Sequence, residues 1–299
     1  MNYSPSFTLF AQHGWADTHH KINTLAHQLA PNETIITPDL GWLKTWWKIE
    51  PLIQQVEQIA QHQLQQFPQQ SWRIIGHSMG GLIWLEVLTR HPQWWSKIHS
   101  LILIASPVGG ADLAYFLDIG QWGISIAQDL AKNRCSLAEK IAQSIPTLSI
   151  AGDIDHGSDG TILVSSTQFN YAHWQTVPIS HPRLKNHPDL IPIIHQFWGN
   201  PTVNAFKPTF PKQIREQLQF IPNIMNAHPR DLKRATPYCS FPEGLILWRW
   251  KHPFSQLEHL FLTDSQHNCL YGGFLPWGNS QGLEACLTEI QKQFDGERA

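Results

Sequence analysis

The chain has 299 residues, of which 42% are hydrophobic and 15% charged, a balance that describes a folded globular protein and excludes a disordered one. Its formal net charge of −2 gives no reason to expect nucleic acid or an anionic membrane surface as a partner. Four cysteines (Cys135, Cys239, Cys269, Cys286) are too few and too scattered for a disulfide scaffold or a Cys-x-x-Cys site, and no apolar run approaches the roughly 18 residues that span a bilayer.

In chain order, Met1 to Ser6 have no basic region and no apolar core, which reads as no signal peptide. With reduced cysteines, this suggests a cytoplasmic protein. Thr8 to Ala11 form a short apolar strand that ends at His13-Gly14-Trp15. Ile22, Leu25, Ala26 and Leu29 fall at helical spacing, and a second strand covers Thr34 to Thr37. A loop with Trp42, Trp46 and Trp47 leads into a long helix starting near Pro51, apolar on one face and rich in glutamine on the other.

Trp72 to Ile75 are β-prone, Gly76-His77-Ser78-Met79-Gly80 follows, and Leu82, Ile83, Leu85, Val87 and Leu88 continue as an apolar helix. This is strand, sharp turn and helix, with a serine at the turn. A bare Gly-x-Ser-x-Gly arises by chance in about one chain in ten of this length, so its context carries the weight. A serine hydroxyl is a poor nucleophile and must stand clear of the backbone where a base can reach it. The helix behind it points its positive end at the place where an oxyanion forms.

Leu101 to Ala105 is a continuous apolar run, as in a strand buried on both faces. Residues 111–144 read as irregularly helical, Thr147 to Ala151 as a strand ending at Gly152 to Gly160, and Trp174 to Ile179 as a last strand ending at Ser180-His181. A helix covers Leu190 to Phe197 despite Pro192. Such alternation implies a mostly parallel sheet with helices on both faces, whose function sits beyond the carboxyl ends of the strands. Those ends carry His13-Gly14, Ser78, Asp153 to Asp159 and His181. Prolines between 200 and 211 mark a change to a small α+β domain over residues 201–299. There a helix around Ile214 and Leu218, three strands (Gly244 to Trp250, Leu257 to Leu262, Cys269 to Leu275) and a final amphipathic helix with Leu283, Leu287 and Ile290 are expected. His252, His259 and His267 are too irregularly spaced for a metal site, and no chemistry is assigned to this part.

The motifs His13-Gly14-Trp15, Gly76 to Gly81, Ser106 to Ala114, Ser158 to Ser166 and Val177 to His181 resemble the α/β-hydrolase family, and within it the compact bacterial lipases and esterases. The resemblance covers residues 7 to 198 and implies a catalytic domain over residues 1–200. It implies Ser78 as nucleophile, His181 as base and an aspartate to hold the imidazole, in the family's chain order. Backbone N–H groups of Trp15 and Met79 would form the oxyanion hole, and His13 would order the loop beneath it. Trp15, His77, Trp42, Trp46 and Trp47 are the candidates for the substrate pocket, and residues 107–144 are a small lid or simple packing against the sheet.

Two aspartates compete for the acid. A Gly-x-x-Asp pattern selects Asp155, whereas the lipase-like Asp-Gly-x-x-x-x-Ser selects Asp159 with Ser165 downstream; the longer match favours Asp159. His187, at a helix start past the last strand, is the rival base. A calcium loop over Asp153 to Gly157 lacks an oxygen at its third position, so no metal and no cofactor is expected. The expected activity is hydrolysis of a carboxylic ester with an apolar part. The alternatives are an acyltransferase or thioesterase on the same residues, or a binding protein that has kept a hydrolase fold.

Overall fold

The computed structural model describes residues 7–111, 124–205, 210–219, 221, 224–253, 256–275 and 280–295. The chain divides into two compact units, residues 1–206 and 207–299.

The first unit is a six-stranded, wholly parallel sheet in the order β2-β1-β3-β4-β5-β6. Its strands are β1 (Phe7–Gln12), β2 (Thr34–Ile36), β3 (Ser71–His77), β4 (Ile98–Ile104), β5 (Thr147–Gly152) and β6 (His173–Val177). The helices are α1 (His19–Leu29), α2 (Ile49–Gln66), α3 (Met79–Arg90), α4 (Ile124–Ala131), α5 (Cys135–Ala142) and α6 (Leu190–Gly199). The period of two along each strand sorts side chains into two cores. Phe10, Ile74, Leu101 and Leu103 face α2, α3, α4 and α5, while Leu9, Ile75, Ile102 and Ile104 face α1 and α6. With both faces covered, the central strands are mostly apolar, and their few polar side chains, such as Ser100 and Ser149, are buried with the rest.

Element ends differ from the sequence reading by a few residues, and polar residues and prolines account for the following cases. β4 starts at Ile98, before the apolar run, because the polar Ser100 is buried within it. β6 stops at Val177 because Pro178 has no N–H to continue the ladder. Pro192 does not break α6; it sits in the first turn, where N–H groups have no intrahelical acceptor. Of the suggested lid, Leu113, Tyr115, Phe116, Leu117 and Trp122 lie outside the described residues.

The second unit is a five-stranded antiparallel sheet, order β7-β11-β10-β9-β8. It comprises α7 (Phe210–Gln219), β7 (Met225–Asn226), β8 (Thr236–Ser240), β9 (Ile246–Lys251), β10 (Glu258–Thr263), β11 (Cys269–Leu275) and α8 (Ser280–Asp295). Ile214 and Leu218 of α7 and Leu283, Leu287 and Ile290 of α8 bury against Leu247, Leu260, Leu262 and Tyr271. The sequence reading found three of these strands. It missed β7, which has two residues, and β8, whose Pro237 is tolerated because β8 is an edge strand.

Candidate active site

Ser78 is the residue between β3 and α3, and its backbone has φ 55° and ψ −126°. Such a conformation is strained for any residue with a Cβ and survives only where the surroundings fix it. Here the Ser78 N–H donates to the Ile104 carbonyl of β4 at 2.8 Å, and Gly81 N–H closes the first turn on Ser78 O at 3.1 Å. Strand and helix pass so closely that a Cβ on Gly76 would stand 2.4 Å from the Gly81 Cα. The loop after β1 comes equally near: a Cβ on Gly14 would stand 2.8 Å from the Ser78 Cβ, so only glycine fits there.

The loops after β5 and β6 complete the cluster. His181 Nε2 lies 3.2 Å from Ser78 Oγ, and His181 Nδ1 lies 2.6 Å from Asp159 Oδ2. A carboxylate only accepts, so Nδ1 carries the proton and Nε2 is left with the lone pair that receives the serine hydroxyl. Asp159 is 1% exposed, and every acceptor near its charge is engaged: Oδ1 takes the N–H groups of Thr161 (2.9 Å) and Ile162 (2.6 Å), while its carbonyl takes the His181 N–H (2.9 Å). These contacts fix the orientation of the carboxylate against the imidazole.

The competing residues lie elsewhere. Asp155 closes its own loop, accepting the Ser158 N–H at 2.7 Å and the Ser158 hydroxyl at 2.8 Å. Asp153 accepts the Gly157 N–H at 2.9 Å. The His187 ring faces Arg183 and the Asp189 backbone, at 3.0 and 3.3 Å. Among the described residues no three His, Cys, Asp or Glu side chains converge as metal ligands.

His13 is fully buried below the loop. Its Nε2 accepts the Leu40 N–H at 3.0 Å, so Nδ1 is protonated and donates to Gly14 O at 3.0 Å. Burial lowers its pKa and keeps it neutral, as this clamp requires. His77 does not open into a pocket: it is 3% exposed, and its ring centroid is 4.8 Å from that of His181. Its Nε2 lies 3.3 Å from the His181 carbonyl oxygen and so donates to it. Burial, with the nearby His181 and Lys185, holds the His77 pKa well below its ordinary range.

Of the tryptophans, Trp15 and Trp46 pack with centroids 4.5 Å apart and Trp42 and Trp46 5.5 Å apart. The loop carrying them is tied to the one after β1: Thr45 Oγ1 accepts the Ala16 N–H at 3.0 Å, and Trp42 Nε1 donates to Ala16 O at 3.0 Å. Trp47 is exposed. Neither the Thr45 tether nor the His77 contact had a sequence signal, since both partners are distant in the chain.

Residues 42–196 match the PGAP1-like alpha/beta domain. Among solved structures, the mature form of Bacillus licheniformis lipase BlEst2 aligns at 16% identity and TM-score 0.51, covering 66% of this chain and 93% of that one. Its propeptide form aligns at 14% identity and TM-score 0.52, covering 90% of this chain and 67% of that one. That match takes in more of this chain than residues 1–206 contain, so it reaches into the second unit. A lipase-esterase related protein from Clostridium acetobutylicum aligns at 16% identity and TM-score 0.50, covering 65% of this chain and 95% of that one. No curated protein sequence matches. At these identities the likeness is one of fold. The family match over residues 42–196, more than half of the chain, makes this protein a member of the PGAP1-like alpha/beta domain family, built on the α/β-hydrolase fold.

Proposed function

We propose that the protein is a serine hydrolase that cleaves carboxylic esters with an apolar acyl or alcohol part, through an acyl-enzyme on Ser78. Ser78 Oγ attacks the ester carbonyl as its proton passes to His181 Nε2. Asp159 holds the imidazole tautomer and stabilises the imidazolium that forms. The negative oxygen of the tetrahedral intermediate is received by the backbone N–H groups of Met79, at the positive end of α3, and Trp15. His181 then protonates the leaving alcohol, and water, deprotonated by the same nitrogen, releases the acid. The steps as written use protein groups and water alone.

The observation that carries this reading is the unbroken hydrogen-bond chain from Ser78 Oγ through His181 to Asp159 Oδ2, with Ser78 at a strained turn. A protein that only bound a ligand would have no need to hold a serine in that conformation against a buried imidazole–carboxylate pair. The packed indoles of Trp15 and Trp46 support an apolar substrate. A cytoplasmic location is supported by the absence of any disulfide among the four cysteines. Among the described residues no helix is long and apolar enough to cross a membrane.

A fluorophosphonate probe, which phosphonylates an activated serine, should label Ser78, and Ser78→Ala should abolish labelling without unfolding the chain. Turnover of nitrophenyl esters of graded chain length should rise with acyl length. Labelling mapped to another serine, or no turnover of any ester by folded protein, would overturn the proposal.

A further inference from the structure

Seven large hydrophobic side chains are exposed among the described residues, and three of them, Trp42 (47%), Leu43 (70%) and Trp47 (66%), stand within one short loop. The loop sorts its residues. Thr45 and Trp46 turn inward, to Ala16 and Trp15, while Leu43, Lys44, Trp47 and Lys48 turn to solvent. Backbone bonds from Lys44 N to Gly41 O and from Trp46 N to Leu43 O set this turn, with Gly41 at φ 73°. It is therefore held in shape while presenting apolar surface to water, which marks a site of contact.

We propose that residues 42–48 form an anchor for an anionic lipid surface. Leu43, Trp47 and the outer face of Trp42 enter the headgroup–acyl boundary, and Lys44 and Lys48 meet the lipid phosphates. Indole rings and lysines with long apolar stems are the side chains suited to that boundary. Both lysines are exposed and form no ion pair among the described residues, whereas the nearby carboxylates are already engaged. Asp39 is held by His19 and the Gly41 N–H, Glu50 by Arg90, and Asp129 by Lys132. The net charge of −2 is a sum over the whole chain and does not describe this loop, whose two lysines are unpaired among the described residues. The loop follows β2, on the carboxyl edge of the sheet that carries Ser78, and its bonds to Ala16 join it to the segment that touches Ser78 through Gly14. The inference deepens the esterase reading and rests on it for the purpose of the contact, which is to seat the Ser78 edge at a surface that holds apolar esters.

The test is co-sedimentation of the full chain carrying Ser78→Ala with vesicles of phosphatidylcholine, alone or mixed with phosphatidylglycerol. The protein should pellet with the mixed vesicles. Leu43→Ser/Trp47→Ser should weaken partition at least ten-fold, with an unchanged thermal unfolding profile. Lys44→Gln/Lys48→Gln should weaken it about thirty-fold on mixed vesicles, about five-fold for each lysine, and leave phosphatidylcholine binding unaltered. Phe67→Ser removes an exposed aromatic just past the far end of α2 and should change nothing. No sedimentation with either vesicle, or sedimentation indifferent to Leu43→Ser/Trp47→Ser, would overturn the anchor. So would a dimer that the same double variant turns into monomer, since a second copy would then be the occupant. Because binding is read on an inert Ser78→Ala chain, failure of the esterase reading shows separately, as absent ester turnover by the unmodified protein.

Discussion

The two units use nearly the same residue types to opposite ends. In the first, a parallel sheet sends every strand's carboxyl end to one edge, so the loops after β1, β3, β5 and β6 bring Gly14, Ser78, Asp159 and His181 together. In the second, an antiparallel sheet joins its strands by turns at both edges, and polar side chains find partners across neighbouring strands. Arg249 on β9 pairs with Glu258 on β10 at 2.9 Å and with Glu284 of α8 at 2.6 Å. His259 lies among Trp250 and Phe274, with centroids 4.7 and 5.6 Å away. A histidine and a carboxylate are buried in both units, but among the described residues only the first has them bonded to each other and to a serine. Topology decides which polar residues meet, and so which unit can carry chemistry.

The sharpest way to break this contrast is at Asp159. Asp159→Asn should lower ester turnover about 10⁴-fold, since an amide N–H facing Nδ1 favours the wrong imidazole tautomer. Asp155→Asn, which disturbs the Ser158 turn, should leave turnover within a few-fold. Equal losses in the two variants, measured as kcat/KM on a nitrophenyl ester, would mean that the loop as a whole matters and the Asp159 contact does not.

The opposite asymmetry is expected from the second unit. Leu260 is fully buried in its core, and Leu260→Ala should cost about 2–5 kcal/mol of that unit's stability by leaving a cavity. Ester turnover at a temperature where the variant stays folded should not change, because every residue placed in the reaction belongs to the first unit. A fall in kcat that tracks the loss of stability would show that the two units act as one.

Much of this arrangement was legible in the sequence because the physics behind it is local. The helical runs Ile22 to Leu29 and Leu82 to Leu88, the unbroken apolar run Leu101 to Ala105, and the glycines around Ser78 each answer to their own neighbours. Chain order then put Ser78, Asp159 and His181 on one edge without any knowledge of distances. What could not be read depends on partners far along the chain. His77 was expected in the substrate pocket, but its ring turns onto the His181 carbonyl, 104 residues away. Nothing near Trp47 tells that it is exposed while Trp46, its neighbour, packs against Trp15. The edge position that permits Pro237 in β8 is likewise a property of the assembled sheet.

The gentlest probe of the comparison is acid. In the first unit His13, His77 and His99 are all held below the ordinary histidine pKa, each chiefly by burial; in the second unit His259 is, also by burial. Each is neutral when folded and takes up a proton when unfolded below about pH 6.5. The unfolded state then binds more protons, so stability rises with pH in this window: the contribution is complete above about pH 6.5 and is lost progressively as pH falls toward the folded-state value. One such group costs up to about 1.4 kcal/mol per pH unit. The carboxylates whose pKa values are lowered, Asp39, Glu50 and Asp129 in the first unit and Asp264 in the second, lose their contribution only as pH falls through the ordinary carboxylate range, so they add little to the change above pH 5. Between pH 7 and pH 5 the first unit should therefore lose more stability than the second. His77→Gln, which keeps an amide N–H for the His181 carbonyl but cannot titrate, should flatten the fall in melting temperature more than His259→Gln does. A melting temperature indifferent to pH in this range, or one flattened equally by the two variants, would show that His77, packed against His181, is no more constrained than His259 in the second unit.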